Sequence, residues 1–274
     1  MQCHHQPLFA TLSKIQTNQF ITKRNSMSEK IHDLGAGFWN IRGDFRLGGV
    51  INIGTHCSLV KLASGKFIFL DSYTLTNDVR AKVMALTNDG TQVEAVLNLH
   101  PFHTVHCAQM TKDFPQAIFY GSSRHAKKVS EVEWSEDLVE SETVATRYPE
   151  LKFSLSQGIN YIHANEMIHA GSVLAYHPAS QSLHVDDTFM SPPTKLLGKV
   201  LPEIMLHPTT KKALQDEPNA GQEYCDWATK IAHDWREVRH FCAAHSYLVK
   251  FKEGDFEKAL LKAVNKARPK LENA

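Results

Sequence analysis

The sequence predicts an α/β sandwich, in which helices cover β-sheets, as a single domain over residues 31–274. The first observation is the order of segments, since strand-like and helix-like stretches follow one another as ββ, βαβα, ββ and αβα. The second is composition, because 42% of the 274 residues are hydrophobic and can bury a large core. The third is continuity, since the sequence of this region shows no linker, repeat or low-complexity tract. Disordered and fibrous architectures are excluded.

The first half of this domain is rich in strands. Strand-like segments at 57–62 and 67–71 flank the turn Ser64-Gly65-Lys66, which predicts a β-hairpin. A mostly apolar segment at 93–99 ends directly in His100 and predicts a buried strand. Further strands are predicted at 38–42, 50–53 and 117–120, and helices at 77–87 and 106–113.

The second half alternates strands with longer helices. An acidic stretch at 130–142 predicts helix and loop, and strand-like texture resumes at 158–168. The amphipathic segment 255–267 has a basic end and predicts a terminal helix. Other strands are predicted at 173–176, 182–185 and 239–242, and other helices at 201–216 and 222–237.

Residues 1–30 differ from the rest of the chain. They have no apolar period and no acidic residue before Glu29, and they are rich in Gln, Thr, Ser and Asn. We predict a disordered N-terminal extension outside the fold. A translation start at Met27 explains the same composition, and a weak organelle presequence is a further alternative.

Charge and cysteine content restrict the partners and the compartment. Thirty Lys and Arg against 29 Asp and Glu give a net charge of +1, so no global basic field favours nucleic acid or a membrane surface. Apolar runs fall short of the roughly 18 residues of a membrane span. The five cysteines form no C-x-x-C pair, which favours reduced thiols in a cytoplasmic setting. We therefore expect a soluble protein with a small-molecule partner.

Histidines cluster after the predicted strand 93–99. His100, His103 and His106 lie within seven residues, where the 16 His of the chain predict about 0.4. A spacing of three does not place side chains on one face of a strand, but it suits a loop and a first helical turn. Imidazole is the commonest metal ligand, so the cluster suggests a metal site, whereas solvated or core histidines are the alternative.

Further His and Asp residues follow in an order that resembles the metallo-β-lactamase-fold superfamily. Asp71 ends a strand, His169 precedes Gly171-Ser172 and a strand, Asp187 closes another strand, and His245 follows a late one. The resemblance covers residues 37–250. It implies a four-layer αβ/βα sandwich with a metal site at one edge of its two sheets.

The resemblance also implies roles for these residues. The metal ligands would be His100, His103, His106, His169, Asp187 and His245. They would bind one or two zinc ions, with iron or manganese as alternatives, and turn a bound water into a nucleophilic hydroxide. Asp187 would be the catalytic carboxylate, preferred over Asp186 because a small and a hydrophobic residue follow it. Asp71 would accept a hydrogen bond from a histidine and fix its tautomer.

The sequence departs from the superfamily's motif His-x-His-x-Asp-His. If His100 is the first member, Phe102, Thr104 and Val105 occupy the other ligand positions. If His103 is the first, Cys107 would have to act as a thiolate ligand. A single metal, or a degenerate site without metal, therefore stands beside the two-metal expectation.

The leading functional hypothesis is a metal-dependent hydrolase of small esters, thioesters, lactones or phosphoesters. One alternative is a binding or scaffold protein of the same fold that has lost catalysis. Another is a mononuclear iron oxygenase, since His103, His106 and Asp187 make a two-His, one-carboxylate set. The sequence contains no G-x-S-x-G, Walker A or H-E-x-x-H motif, which argues against those competing chemistries.

Overall fold

The chain forms two main β-sheets packed face to face. A computed structural model describes residues 30–47, 51–192, 201–245 and 247–274. Its strands are β1 (Lys30–Asp33), β2 (Phe38–Gly43), β3 (Arg46–Leu47), β4 (Ile51–Asn52), β5 (Thr55–Lys61), β6 (Phe67–Leu70), β7 (Val93–Leu97), β8 (Ile118–Tyr120), β9 (Lys152–Leu155), β10 (Val173–His177), β11 (Ser182–Val185), β12 (Phe189–Met190), β13 (Met205–Leu206), β14 (His240–Ala243) and β15 (Val249–Lys250). Its helices are α1 (Asn77–Leu86), α2 (Cys107–Asp113), α3 (Ser123–Lys128), α4 (Glu142–Arg147), α5 (Thr210–Ala213), α6 (Ala220–Asp234) and α7 (Asp255–Leu271).

The strand order brings several strand ends to one edge. The larger sheet runs β1-β2-β5-β6-β7-β8, and the smaller one runs β15-β14-β11-β10-β9. In the larger sheet β6, β7 and β8 are parallel neighbours. In the smaller sheet β11 and β14 are parallel, and β10 lies antiparallel to β11. The carboxyl ends of β11 and β14 therefore lie beside the start of β10.

Three apolar clusters fix the layers. The inner cluster joins residues of both sheets, such as Val60 and Leu97 of the larger and Ala175 and Cys242 of the smaller. A second packs the outer face of the larger sheet against α1 and α2. A third packs the smaller sheet against α6 and α7. The predicted αβ/βα order of four layers is confirmed.

Two predicted elements are wrong. Residues 158–168 form bends, coil and a turn with one isolated bridge between Ile159 and Leu214, and the strand of this region lies earlier, at Lys152–Leu155. Gly158 has a positive φ of 69°, and an added Cβ would lie 2.2 Å from the Ala220 carbonyl oxygen. In the described part of 201–216 only α5 is helical, because Pro202 and Pro208 disrupt a continuous helix.

Other differences are smaller. Lys30, which the sequence analysis assigned to the extension, begins β1 and pairs with Arg42. Helix α3 was not predicted, and most of 130–142 is turn and coil before α4. The predictions for residues 1–29 lie outside the described residues. None of the helices in the described ranges is long and apolar enough to span a membrane.

His125 anchors α3 at the end of the larger sheet. Its Nδ1 accepts a hydrogen bond from the Ser122 backbone N–H at 3.1 Å, and its ring lies 5.1 Å from that of Trp134. Burial lowers the pKa of His125 from 6.5 to about 4. The neutral ring is therefore the form that the fold stabilises.

The depressed pKa makes stability depend on pH. Above pH 6.5 the ring is neutral in both states, whereas at lower pH only the unfolded chain takes up the proton until the folded pKa is reached. Between about pH 7 and pH 5 His125 should thus cost the metal-free protein about 2 kcal/mol of unfolding free energy. Urea unfolding at both pH values measures it. His125→Gln keeps an amide that can cap α3 but cannot take up a proton, so its unfolding free energy should fall by about 2 kcal/mol less between pH 7 and pH 5 than that of the unaltered chain. Equal falls in the two proteins would show that His125 does not have a depressed pKa.

Candidate metal centre

His and Asp side chains meet at the edge where these strands end. Asp71 follows β6, and the loop after β7 carries His100 and His103. Asp186 and Asp187 follow β11 directly, and the turn after β14 carries His245. His169 precedes β10, whose start adjoins the end of β11. The topology alone therefore brings these segments together.

Asp187 is the centre of the outer group of ligand atoms. Its Oδ2 accepts a hydrogen bond from His169 Nδ1 at 2.9 Å. His245 Nε2 lies 3.4 Å from Oδ1, and His103 Nε2 lies 3.6 Å from Oδ2. Asp187 is 1% exposed, and its Oδ1 has no hydrogen-bond partner in the protein.

The longer of these separations fit shared ligation better than hydrogen bonding. Nitrogen and oxygen atoms about 2.0–2.2 Å from one tetrahedral ion lie about 3.3–3.6 Å apart. The distances from Asp187 to His103 and His245 fall at or near this range. The donor set, imidazole nitrogen and carboxylate oxygen, is one that zinc and related divalent ions accept. These residues therefore fit a metal ion.

Backbone contacts set the tautomers of two histidines. His245 Nδ1–H donates to the Gly54 carbonyl at 2.7 Å, which leaves the Nε2 lone pair for a ligand beside Asp187. His100 instead meets backbone on both sides, because Nε2–H donates to the His169 carbonyl at 2.9 Å and Nδ1 accepts from the Phe102 N–H. His100 thus fixes the loop, although its Nε2 is 3.5 Å from Asp187.

The outer group opens to solvent on one side. The side chains of His103, His169 and His245 are 24%, 30% and 17% exposed. Asp187 lies beneath them. A small molecule can therefore reach an ion at this position from the side of the three histidines.

Asp186 forms a second, deeper group. Its Oδ1 lies 3.3 Å from His103 Nδ1, 3.6 Å from His56 Nε2 and 3.9 Å from His184 Nε2. None of these contacts has hydrogen-bond geometry, and neither oxygen of Asp186 has a partner in the protein. His103 stands between the two carboxylates, because its other nitrogen faces Asp187.

The two carboxylates that share His103 differ in their affinity for a proton. Burial acts to lower the pKa of His103, but Asp186 and Asp187 outweigh it and hold that pKa well above its usual value. Burial acts to raise the pKa of Asp187, but His103 and His169 hold it well below its ordinary range. Burial and the neighbouring Asp71 raise the pKa of Asp186 to about 7. Without a cation, Asp186 thus keeps its proton to a higher pH than an exposed aspartate does.

Asp71 joins the site to the core of the sandwich. Its Oδ1 accepts from the Leu99 N–H at 2.8 Å, and its Oδ2 accepts from His184 Nε2–H at 2.9 Å. The Ser58 hydroxyl contacts His184 Nδ1 at 3.0 Å and thereby completes the hydrogen bonding of that ring. Asp71 therefore positions the loop after β7 and one histidine tautomer.

An ionic contact ties two loops of the site together. Arg124 of α3 donates to the Pro101 carbonyl at 3.1 Å and pairs with Glu166 at 2.9 Å. Its guanidinium also lies 4.4 Å from the centre of the Phe102 ring. The loop that carries His103 and the loop that leads to His169 thus share one anchor.

The structure brings together five of the predicted ligands and sets one apart. His100, His103, His169, Asp187 and His245 meet at this edge. His106 instead contacts Thr74 Oγ1 at 2.8 Å, packs against Tyr73, and belongs to none of the groups of ligand atoms in the described chain. The iron-oxygenase set that included His106 is therefore not assembled.

Cys107 does not fit the alternative role of thiolate ligand. Its thiol contacts Asn98 Oδ1 at 3.4 Å, and burial raises its pKa to about 12. It is one of the buried free cysteines of the described residues, with Cys57, Cys225 and Cys242.

Sequence reasoning missed three residues of this edge, His56, His184 and His207, and set Asp186 aside in favour of Asp187. One signal was available, since His184 and Asp186 lie two apart at a strand end, a spacing that puts side chains on one face. His56 and His207 carried no such signal, because their neighbours at the site come from distant parts of the chain.

The structure is similar to solved metallo-β-lactamases. DIM-1 aligns with 88% of this chain and 99% of its own, with a TM-score of 0.57 and 13% identity. A metallo-β-lactamase from Erythrobacter litoralis aligns with 87% of this chain and 96% of its own, with a TM-score of 0.58 and 11% identity. FIM-1 from Pseudomonas aeruginosa, in its mono-zinc form, aligns with 88% of this chain and 96% of its own, with a TM-score of 0.57 and 11% identity.

Sequence comparison adds no closer relative. No protein-family model and no curated protein matches the chain. Identities near 10% show a shared fold and leave the activity open. On this structural evidence, the chain has the metallo-β-lactamase fold.

Proposed function

We propose that this protein is a metal-dependent hydrolase of a small ester, thioester, lactone or phosphoester. One observation carries the proposal. A buried carboxylate, Asp187, has an unpartnered oxygen and faces His103 and His245 at the separations of metal ligands. The fold, in which neighbours such as FIM-1 have been solved with one zinc, agrees with that reading.

Asp187, His103, His169 and His245 would hold the ion. A bound divalent ion supplies Lewis acidity, which lowers the pKa of a water ligand to about 7 and polarises a carbonyl or phosphoryl oxygen. The histidines would hold an ion without cancelling its charge, each turning a ring nitrogen lone pair rather than an N–H toward it. Asp187 supplies the one negative charge of the set.

Exposed apolar side chains in the loops that carry His103 and His169 favour a substrate with an apolar part. Val105 is 71% exposed and lies two residues from His103, and Met167 is 77% exposed and lies two residues from His169. Contact between these side chains and an apolar part of a substrate would remove apolar surface from water, which is favourable. We therefore favour an acyl ester or thioester over a compact phosphoester.

His207 is suited to bind an oxygen of the substrate. Its ring lies 4.8 Å from that of His169, and its Nδ1 accepts from the Thr209 N–H at 3.3 Å. Burial lowers the pKa of His207, so the ring is neutral and carries its hydrogen on Nε2. This N–H is the group that would donate to the substrate.

Asp187→Asn should abolish stable metal binding. The amide keeps the shape of the side chain but removes its charge, so zinc affinity should fall by about two orders of magnitude or more. Elemental analysis of the untagged full-length chain, after zinc loading and desalting, measures the effect. The matched control is Asp216→Asn, an exposed acid elsewhere, which should keep its zinc.

The same preparations test the chemistry. The zinc-loaded chain should hydrolyse members of a panel of acyl esters, thioesters, lactones and phosphodiesters, and chelation or Asp187→Asn should abolish this. A chain that binds zinc but hydrolyses no member would contradict the proposed reaction. A chain that binds none of zinc, manganese and iron would instead support a scaffold protein.

His207→Ala should reduce hydrolysis without releasing metal. Loss of one hydrogen bond to the reacting oxygen should lower kcat/KM about tenfold to hundredfold, with zinc content unchanged. Steady-state kinetics on the best substrate of the panel measures it. Unchanged kinetics would remove His207 from the site.

A further inference from the structure

A second set of ligand atoms lies beneath the outer group. We propose that Asp186, His56 and His103 bind a second divalent cation there, lined by Asp71 and His184; the inference rests on the proposed outer site. These positions differ from Phe102, Thr104 and Val105, where the resemblance predicts the remaining ligands. The inner position is therefore a feature of this chain.

The unsatisfied carboxylate is the first observation. Asp186 is 1% exposed, and both of its oxygens lack a hydrogen-bond partner in the protein. Asp71 differs, because it accepts from Leu99 and from His184. A buried carboxylate without partners is costly, and a bound cation removes that cost.

The spacing of nitrogen atoms is the second observation. His103 Nδ1 and His56 Nε2 lie 3.3 and 3.6 Å from Asp186 Oδ1. The edges of a tetrahedron of ligands around zinc are about 3.3–3.6 Å long. His56 Nε2 is itself buried without a partner, so two independent orphan groups face one position.

His103 links the two positions. Its Nδ1 faces Asp186, and its Nε2 faces Asp187. The same ring can thus contribute to either ion, or to both if it loses both ring protons. The nitrogen-rich set favours zinc or a similar transition metal over magnesium or calcium.

Ligation by His56 places a requirement on Asn40. The amide nitrogen of Asn40 lies 3.1 Å from His56 Nδ1, while its oxygen accepts from Arg42 Nη1 at 3.2 Å. A histidine that binds metal through Nε2 donates its Nδ1–H to an oxygen. Ligation would therefore reverse the hydrogen bond between Asn40 and His56. Asn40→Asp has an oxygen at both positions and favours that reversal, although it gives up the donations from the Asn40 amide to the Cys57 carbonyl and Ser58 Oγ.

Metal counting separates the two positions. The full-length chain, loaded with zinc and desalted, should hold about two ions, and Asp186→Asn should hold about one. Asp186→Asn should keep zinc-dependent hydrolysis at a measurable level, because Asp187 is intact. Asn40→Asp should retain the second ion against a higher chelator concentration than the unaltered chain does. Circular dichroism establishes that each variant is folded.

The outcomes distinguish this inference from the proposed function. One ion in both the unaltered chain and Asp186→Asn, lost in Asp187→Asn, would overturn the inner site and leave the outer one standing. No ion in the unaltered chain would overturn both. If Asp186→Asn is unfolded, Asn40→Asp decides, since unchanged retention of zinc in that variant would refute ligation by His56.

Discussion

The burial of two adjacent carboxylates at the end of β11 is the constraint on which the site depends. Asp186 and Asp187 are both almost fully enclosed, and an enclosed charge must be paired or neutralised. The imidazoles of His103, His169 and His245 surround Asp187 from three separate segments, whereas Asp186 faces His103 without a hydrogen bond. The site thus combines residues from both sheets, and their contacts join the two halves of the sandwich at this edge.

Much of the fold could be predicted because the buried strands are rich in apolar residues. The segments of β5, β6 and β7 were predicted close to their observed positions, since most of their side chains are covered on both faces of the sheet. The prediction failed where apolar residues cover the core without regular structure, as in 158–168. It failed again in 201–216, where Pro202 and Pro208 break a pattern that otherwise suits a helix.

The site could be predicted only where local pattern reflects it. The density of histidines after β7 and the carboxylate at the end of β11 are local features, and both lie at the observed edge. The pairing of His56 with Asp186 joins positions 130 residues apart in sequence and depends on how the sheets face each other. His106 continues the same spacing of three, but the start of α2 turns its ring toward Thr74.

The most direct test of the account is the position of bound metal in crystals of the zinc-loaded chain. Anomalous diffraction recorded on both sides of the zinc absorption edge locates each ion without reference to activity. We predict a peak within ligand distance of a carboxylate oxygen of Asp187 and of nitrogen atoms from His103, His169 or His245. A peak confined to surface histidines such as His233, or none at this edge of the sheets, would contradict it.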